Sequence, residues 1–251
     1  MADLNDKISK EQKTPKSKDK DLATEQSDNL VVRAQQFIYN NSKAVSYSLI
    51  GLIVLVTLVF VLNNLMEKSG EENRQKAMVA LTRILPYYEA PDYKRALFGD
   101  STKTVRGDRI IGLLEIIEKY EDTDQGKLAA FYAGSSYLAL NKTKEAIEYF
   151  EIATDSPSNV VLTGTYAGLG ACYEEMKDYD NAVDYYGKAS ELAVTYAAKY
   201  RYSYYTAKTY EKKGDKESAE KIYREIIAKD KFSEFSNYAR AGLVRLGMKI
   251  D

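Results

Sequence analysis

Histidine and tryptophan are absent from the 251 residues, and cysteine occurs once, at Cys172. Without histidine the chain lacks the commonest general base and the commonest metal ligand. A single cysteine forms no intrachain disulfide and no cysteine zinc site. It leaves the redox compartment open, because a disulfide-free domain folds on either side of a membrane. The sequence holds no Gly-rich phosphate loop and no metal-ligand cluster, so an enzyme, a cofactor and a small-molecule substrate are not expected. Neither charge sign dominates: 36 basic residues face 37 acidic ones. That removes the electrostatic basis for nucleic-acid binding. Proline is scarce too, with 4 residues, which favours long helices.

What the chain does have is one long uncharged run. Ala44 to Leu62 reads AVSYSLIGLIVLVTLVFVL, and the next charge comes only after Met66. As a helix, 19 residues reach roughly 28 Å, close to the ~30 Å hydrocarbon core of a bilayer. Residues 44–66 are therefore expected to form a single transmembrane signal anchor. Val61-Leu62-Asn63-Asn64 offers no small-x-small cleavage site. The span leaves a short side, 1–43, and a long side, 67–251, large enough for one domain with its own core. Residues 1–28 mix lysines with acids and hold little apolar surface, so a disordered, solvated tail is expected. A contact with ribosomal RNA or anionic lipid is the sharper reading, weakened by the interspersed acids. Asp28 can N-cap a helix over 29–43 that puts Leu30, Ala34, Phe37 and Ile38 on one face. Two readings stand for it: an amphipathic helix in the headgroup region, or an extension of the span. Arg33 and Lys43 before the span, against Lys68, Arg74 and Lys76 after it, give no clear orientation. A short tail that stays behind and a long domain that is translocated favour an N-terminus inside.

Residues 67–125 read as a degenerate leading repeat. A helix from Glu67 to Leu85, hinged at Gly70 and ended by Pro86, turns Ala77, Leu81, Ile84 and Leu85 inward. An insertion over 86–107 is expected as a loop that packs through Tyr87, Tyr88, Tyr93, Leu97 and Phe98. A second helix is expected from Asp108 to Tyr120.

Residues 126–234 hold three superposable segments. The first has Gly134, Tyr137, Ala146, Phe150 and Ala153. The second repeats it 36 positions on with Gly170, Tyr173, Ala182, Tyr186 and Ala189. The third, 37 further, has Ala207, Tyr210, Ala219, Tyr223 and Ile226. A small residue, Tyr three later, Ala nine later and an aromatic four later is the tetratricopeptide pattern of antiparallel helix pairs. Turns are expected at Asn141-Lys142, Lys177-Asp178 and Gly214-Asp215. Cys172 takes the place of Ser136 and Thr209 and reads as core, not as a nucleophile. Residues 235–251 read as a C-terminal capping helix. The fold class is all-α: one transmembrane helix followed by a tetratricopeptide α-solenoid.

In such a stack the first helix of each pair lines the concave face. The protein-binding positions are Leu128, Phe131, Tyr132, Ser135 and Leu138 in the first repeat. They are Ala167 and Ala171 with Gly164, Gly168 and Glu174 in the second, and Arg201, Tyr204 and Lys208 with Tyr205 and Glu211 in the third. A ligand segment is expected to set an apolar side chain on Phe131 and Leu138 and to pass close over Gly164, Ala167, Gly168 and Ala171. Its acidic group would lie near Arg201 and Lys208. The competing expectation is that Phe131 and Tyr132 pack on the 86–107 segment.

The whole chain resembles the YfgM-like family, in its Bacteroidetes/Chlorobi form. The residues that carry the likeness are Phe37-Ile38-Tyr39-Asn40-Asn41-Ser42-Lys43, Leu97-Phe98-Gly99-Asp100 and Leu113-Leu114-Glu115-Ile116-Ile117-Glu118-Lys119-Tyr120. The resemblance implies a bacterial inner-membrane protein with a single span, a cytoplasmic N-terminus and a periplasmic repeat domain. It implies protein partners: the SecYEG translocon and periplasmic chaperones. Rival scaffold readings are a cell-envelope or division organiser of the same topology and a cytosol-facing receptor. An outer-membrane lipoprotein would need a cysteine just after the apolar run, and Cys172 is far from it.

Overall fold

The computed structural model describes residues 29–250; the reading of 1–28 as a tail lies outside the described residues. The chain divides into two compact units between Glu67 and Lys68. In the first unit, α1 covers residues 29–40, and α2 begins at Ser42. Every described side chain from 42 to 62 is exposed. The core helix of a soluble domain would be covered by neighbours. This one is uncovered, and it is long and apolar enough to cross a membrane. Two of its hydroxyls bond within the helix: Ser46 Oγ donates to Ser42 O at 2.7 Å and Thr57 Oγ1 to Ile53 O at 2.8 Å. A helix in lipid requires this, since no solvent is there to do it.

Three local expectations are corrected in the second unit. Helix α2 runs unbroken from Ser42 to Glu89, so Gly70 is no break and Pro86 is inside the helix. Proline removes one helical hydrogen bond, but here it falls in the last turn, where tertiary contacts hold the backbone. Tyr87 Oη donates to Asp100 Oδ2 at 2.6 Å, and the Tyr88 ring meets Tyr132 edge-on at 4.8 Å. Nor is 86–107 a loop. After α2 come α3 (Tyr93–Phe98) and an antiparallel hairpin of β1 (Gly99–Val105) and β2 (Asp108–Ile111). Residues 108–111 are therefore strand, and helix α4 spans only Leu113–Tyr120. The hairpin closes through Arg106 (φ 55°) and Gly107 (φ 86°), between the paired Val105 and Asp108. Two successive positive φ angles give the turn whose twist suits a two-residue hairpin loop. Asp100 pins the hairpin to α2. Its buried carboxylate accepts from Thr102 Oγ1 (2.5 Å), Thr102 N (2.9 Å) and Tyr87 Oη, which hold its pKa down at about 2. Helix α3 packs against both α4 and α5. The elements next to the first full repeat are thus α3 and α4 with the hairpin between them, while α2 adds Ala77, Ala80, Leu81 and Ile84 to the buried set.

The helix pairs follow in order: α5 (Asp124–Ala139) with α6 (Thr143–Ala153), α7 (Asn159–Glu175) with α8 (Tyr179–Leu192), and α9 (Tyr196–Lys213) with α10 (Lys216–Lys229). Helix α11 (Glu234–Arg245) follows them. Side-chain N-caps start several of them: Thr123, Asp178, Thr195, Asp215 and Ser233 each accept a backbone N–H three residues on. The expected turn residues Asn141, Lys177 and Gly214 have φ of 58°, 62° and 91°. Each ends a first helix with the six-to-one bond of a Schellman motif: Lys142 N to Tyr137 O, Asp178 N to Tyr173 O, Asp215 N to Tyr210 O. Helix α11 ends in the same way, with Gly247 at φ 77° and Met248 N bonded to Leu243 O. In form it is the first helix of a further pair.

Candidate protein-docking face

The aromatic of each second helix holds the pairs together. The Phe150 ring lies against both Gly134 and Gly168: a methyl placed on either glycine would come within 2.7 Å or 2.3 Å of it. Tyr186 sits in the same way on Gly170, and Tyr223 on Gly242 of α11. Cys172 is fully buried, and burial pushes its thiol pKa up to about 12. Such a thiol is protonated and unreactive at neutral pH. Among the described residues, no cluster of three His, Cys, Asp or Glu side chains is placed to hold a metal.

Leu128, Phe131, Tyr132, Ser135 and Leu138 on α5, Ala167 and Ala171 on α7, and Tyr204 on α9 are all half-buried. Arg201 and Lys208 are exposed. On α5, Tyr132 faces Tyr88, whose phenol pKa burial raises. This much matches packing on the 86–107 segment. Phe131 goes elsewhere. Its ring lies on Gly164, where an added methyl would be 2.7 Å away, and 6.3 Å from the Phe150 ring. The expected close passage of a ligand over Gly164 and Gly168 is therefore corrected: Phe131 and Phe150 already fill the space those glycines leave.

At the other end, Arg201 stacks on Phe235 (5.8 Å), and Tyr204 meets Tyr205, Tyr223, Phe235 and Tyr238 at 5.6–6.2 Å. The sequence reading missed the α11 rings. Phe235 and Tyr238, three apart on a helix, were the signal. The two acids expected in the groove tie repeats together instead. Glu174 takes the Lys212 ammonium and Thr209 Oγ1. Glu211 takes Arg245 in two bonds (2.9 and 3.0 Å) and the Tyr223 phenol (2.9 Å). The Arg245 bonds, foremost, lower the Glu211 pKa. Ala167 and Ala171 of α7, Tyr132 and Leu138 of α5 and Tyr204 of α9 keep part of their surface accessible, and Arg201 and Lys208 of α9 are exposed.

Comparison with known families gives the same three units. Models of the tetratricopeptide repeat match residues 128–156, 163–193 and 202–233. No curated protein matches the chain. The chain carries three tetratricopeptide repeats in an all-helical stack, the architecture of a protein–protein interaction scaffold.

Proposed function

We propose that the protein is a membrane-anchored scaffold that docks an extended protein segment along the first helices of its repeats. One observation carries this: the row of half-buried small and aromatic side chains on consecutive first helices, with the exposed cations Arg201 and Lys208 at one end. Small side chains at Ala167 and Ala171 admit a backbone. Tyr132, Leu138 and Tyr204 supply apolar contact, and the cations favour a carboxylate. The uncovered apolar helix supports anchoring by a single span. The resemblance to the YfgM-like family extends the reading to a bacterial inner membrane with the repeats in the periplasm. There the domain would link the SecYEG translocon to periplasmic chaperones or clients. The topology test is a fusion after residue 251: an attached alkaline phosphatase should be active and an attached fluorescent protein dark. The reverse pattern would establish the cytosol-facing receptor, the second reading, which the balanced flanking cations allow. Photo-crosslinking from Ala171 and Lys208 in native membranes then identifies the partner. Translocon or chaperone products support the proposed link, and envelope or division proteins would replace it.

A further inference from the structure

The third repeat has a hole where the second has rings. In the second, Tyr166 and Tyr185 stack at 6.1 Å beneath the Lys188 ammonium. At the offset of 37, the third repeat puts Ser203 in place of Tyr166, Ile222 in place of Tyr185 and Glu225 in place of Lys188. Two rings are gone, and a cavity of about 140 Å³ opens between α9 and α10. Tyr196, Tyr200, Ile222 and Ile226 supply its apolar walls, and Lys199, Ser203, Glu225 and Lys229 line the rest. A cavity of roughly 150 Å³ is known to accept benzene, so a phenyl ring matches this one in size and would lie against its apolar walls.

A phenyl ring without a partner stands nearby. Phe232 is 92% exposed, the most exposed of the large apolar side chains described. It follows the cavity-lining Lys229 by three residues. The Asp230 carboxylate accepts the N–H groups of Phe232 and Ser233, both at 3.2 Å, and so holds this turn in a defined shape. Tyr196 on the cavity rim and Val194 before it are exposed as well, at 78% and 68%. One patch thus carries both a protruding ring and a ring-sized hole. A two-fold dimer is the arrangement that uses both, because an isologous interface sets each feature of one copy against its complement on the other. We propose that two copies of this chain associate through this patch, each placing Phe232 in the α9–α10 cavity of the other.

The test uses the full chain in detergent micelles and in its own membrane. Sedimentation should show a concentration-dependent dimer. Phe232→Ala should weaken it at least about tenfold, the effect of truncating a central interface aromatic. Ser203→Tyr, which restores the ring of the second repeat, should weaken it as much, whereas Ser203→Ala, which loses the same Ser190 bond but leaves the cavity open, should not. Co-expressed copies with different tags, one carrying Phe232→Cys and the other Ser203→Cys, should form a disulfide between chains on mild oxidation; the native Cys172 is buried and does not compete. A monomer at all concentrations would overturn the proposal, as would a dimer indifferent to both Phe232→Ala and Ser203→Tyr. So would a disulfide that forms only within a single chain carrying both cysteines, since Phe232 would then be filling its own cavity.

Discussion

Phe150 shows how a single residue organises this stack. Its ring occupies the space beside Gly134 and Gly168, so neither glycine tolerates a side chain without moving it. Gly168→Ala should destabilise the protein by about 1–3 kcal/mol, the usual range for overpacking. Gly187→Ala is the opposite case. It lies inside α8 with nothing within 4 Å of an added methyl, and should stabilise by about 0.5–1 kcal/mol through helix propensity. Denaturant unfolding of both variants reads the sign difference; equal shifts would refute it. Phe131→Ala belongs with the destabilising set. Its ring fills the Gly164 hollow, so its removal should lower the melting temperature by more than it weakens partner capture. The repeat residues were legible because the pattern that identifies them is the packing itself: small, aromatic, alanine, aromatic at helical spacing. The role of Phe131 was not legible, because periodicity assigns a residue to a face and says nothing of how deep a neighbouring glycine lets it sink.

Elements were legible where one rule acted alone. The three turns fell where Asn141, Lys177 and Gly214 reverse φ. Pro86 misled because a proline rule is local, whereas the bonds of Tyr87 and Tyr88 come from distant residues. The hairpin did carry a signal: Thr102, Thr104 and Val105, then Arg106-Gly107, then Ile110 and Ile111 are β-branched runs around a two-residue turn. The expectation of a helix from Asp108 masked it. Helix α11 is tied to α9 by Glu211 and Arg245 as well as by its rings. The Glu211 pKa is lower in the folded state than its ordinary 4.5. A depressed carboxylate pKa contributes stability that is complete above the unfolded value and fades as pH falls through the folded one. The gap in unfolding free energy between the native chain and Glu211→Gln should therefore be full at pH 7 and shrink as pH drops below about 4.5. A gap constant from pH 7 to pH 3 would mean that the ion pair does not couple to folding.

At the scale of the molecule, the long apolar helix was the most legible part, since the uncharged run from Ala44 to Leu62 is continuous. How the repeats share stability was not legible, because every repeat has the same pattern. Two clusters of buried apolar side chains run from Ala80 to Cys172 and from Ala207 to Leu243, and only Ala182, Tyr186 and Ala189 of α8 are buried between them. Between them, where α9 meets α7 and α8, lie the Tyr186–Tyr205 ring contact at 5.5 Å, the Ser190–Ser203 bond at 2.8 Å, and the ion pairs of Glu174 with Lys212 and Asp180 with Lys213. Exposed ion pairs contribute at most about 1 kcal/mol each, far less than a continuous apolar core. Repeats interact only with their neighbours, so a weak junction becomes the boundary between cooperative units. Helices α9–α11 should open as a group at a lower free energy than α5–α7. Hydrogen exchange of the full chain in micelles, followed by peptide, tests this. Protected amides of α9, α10 and α11 should share one opening free energy, and those of α5–α7 a higher one. Ser190→Ala, which removes a hydrogen bond of the junction, should lower the first and leave the second unchanged. A single opening free energy across all seven helices would show that this junction couples the repeats as tightly as the apolar core does.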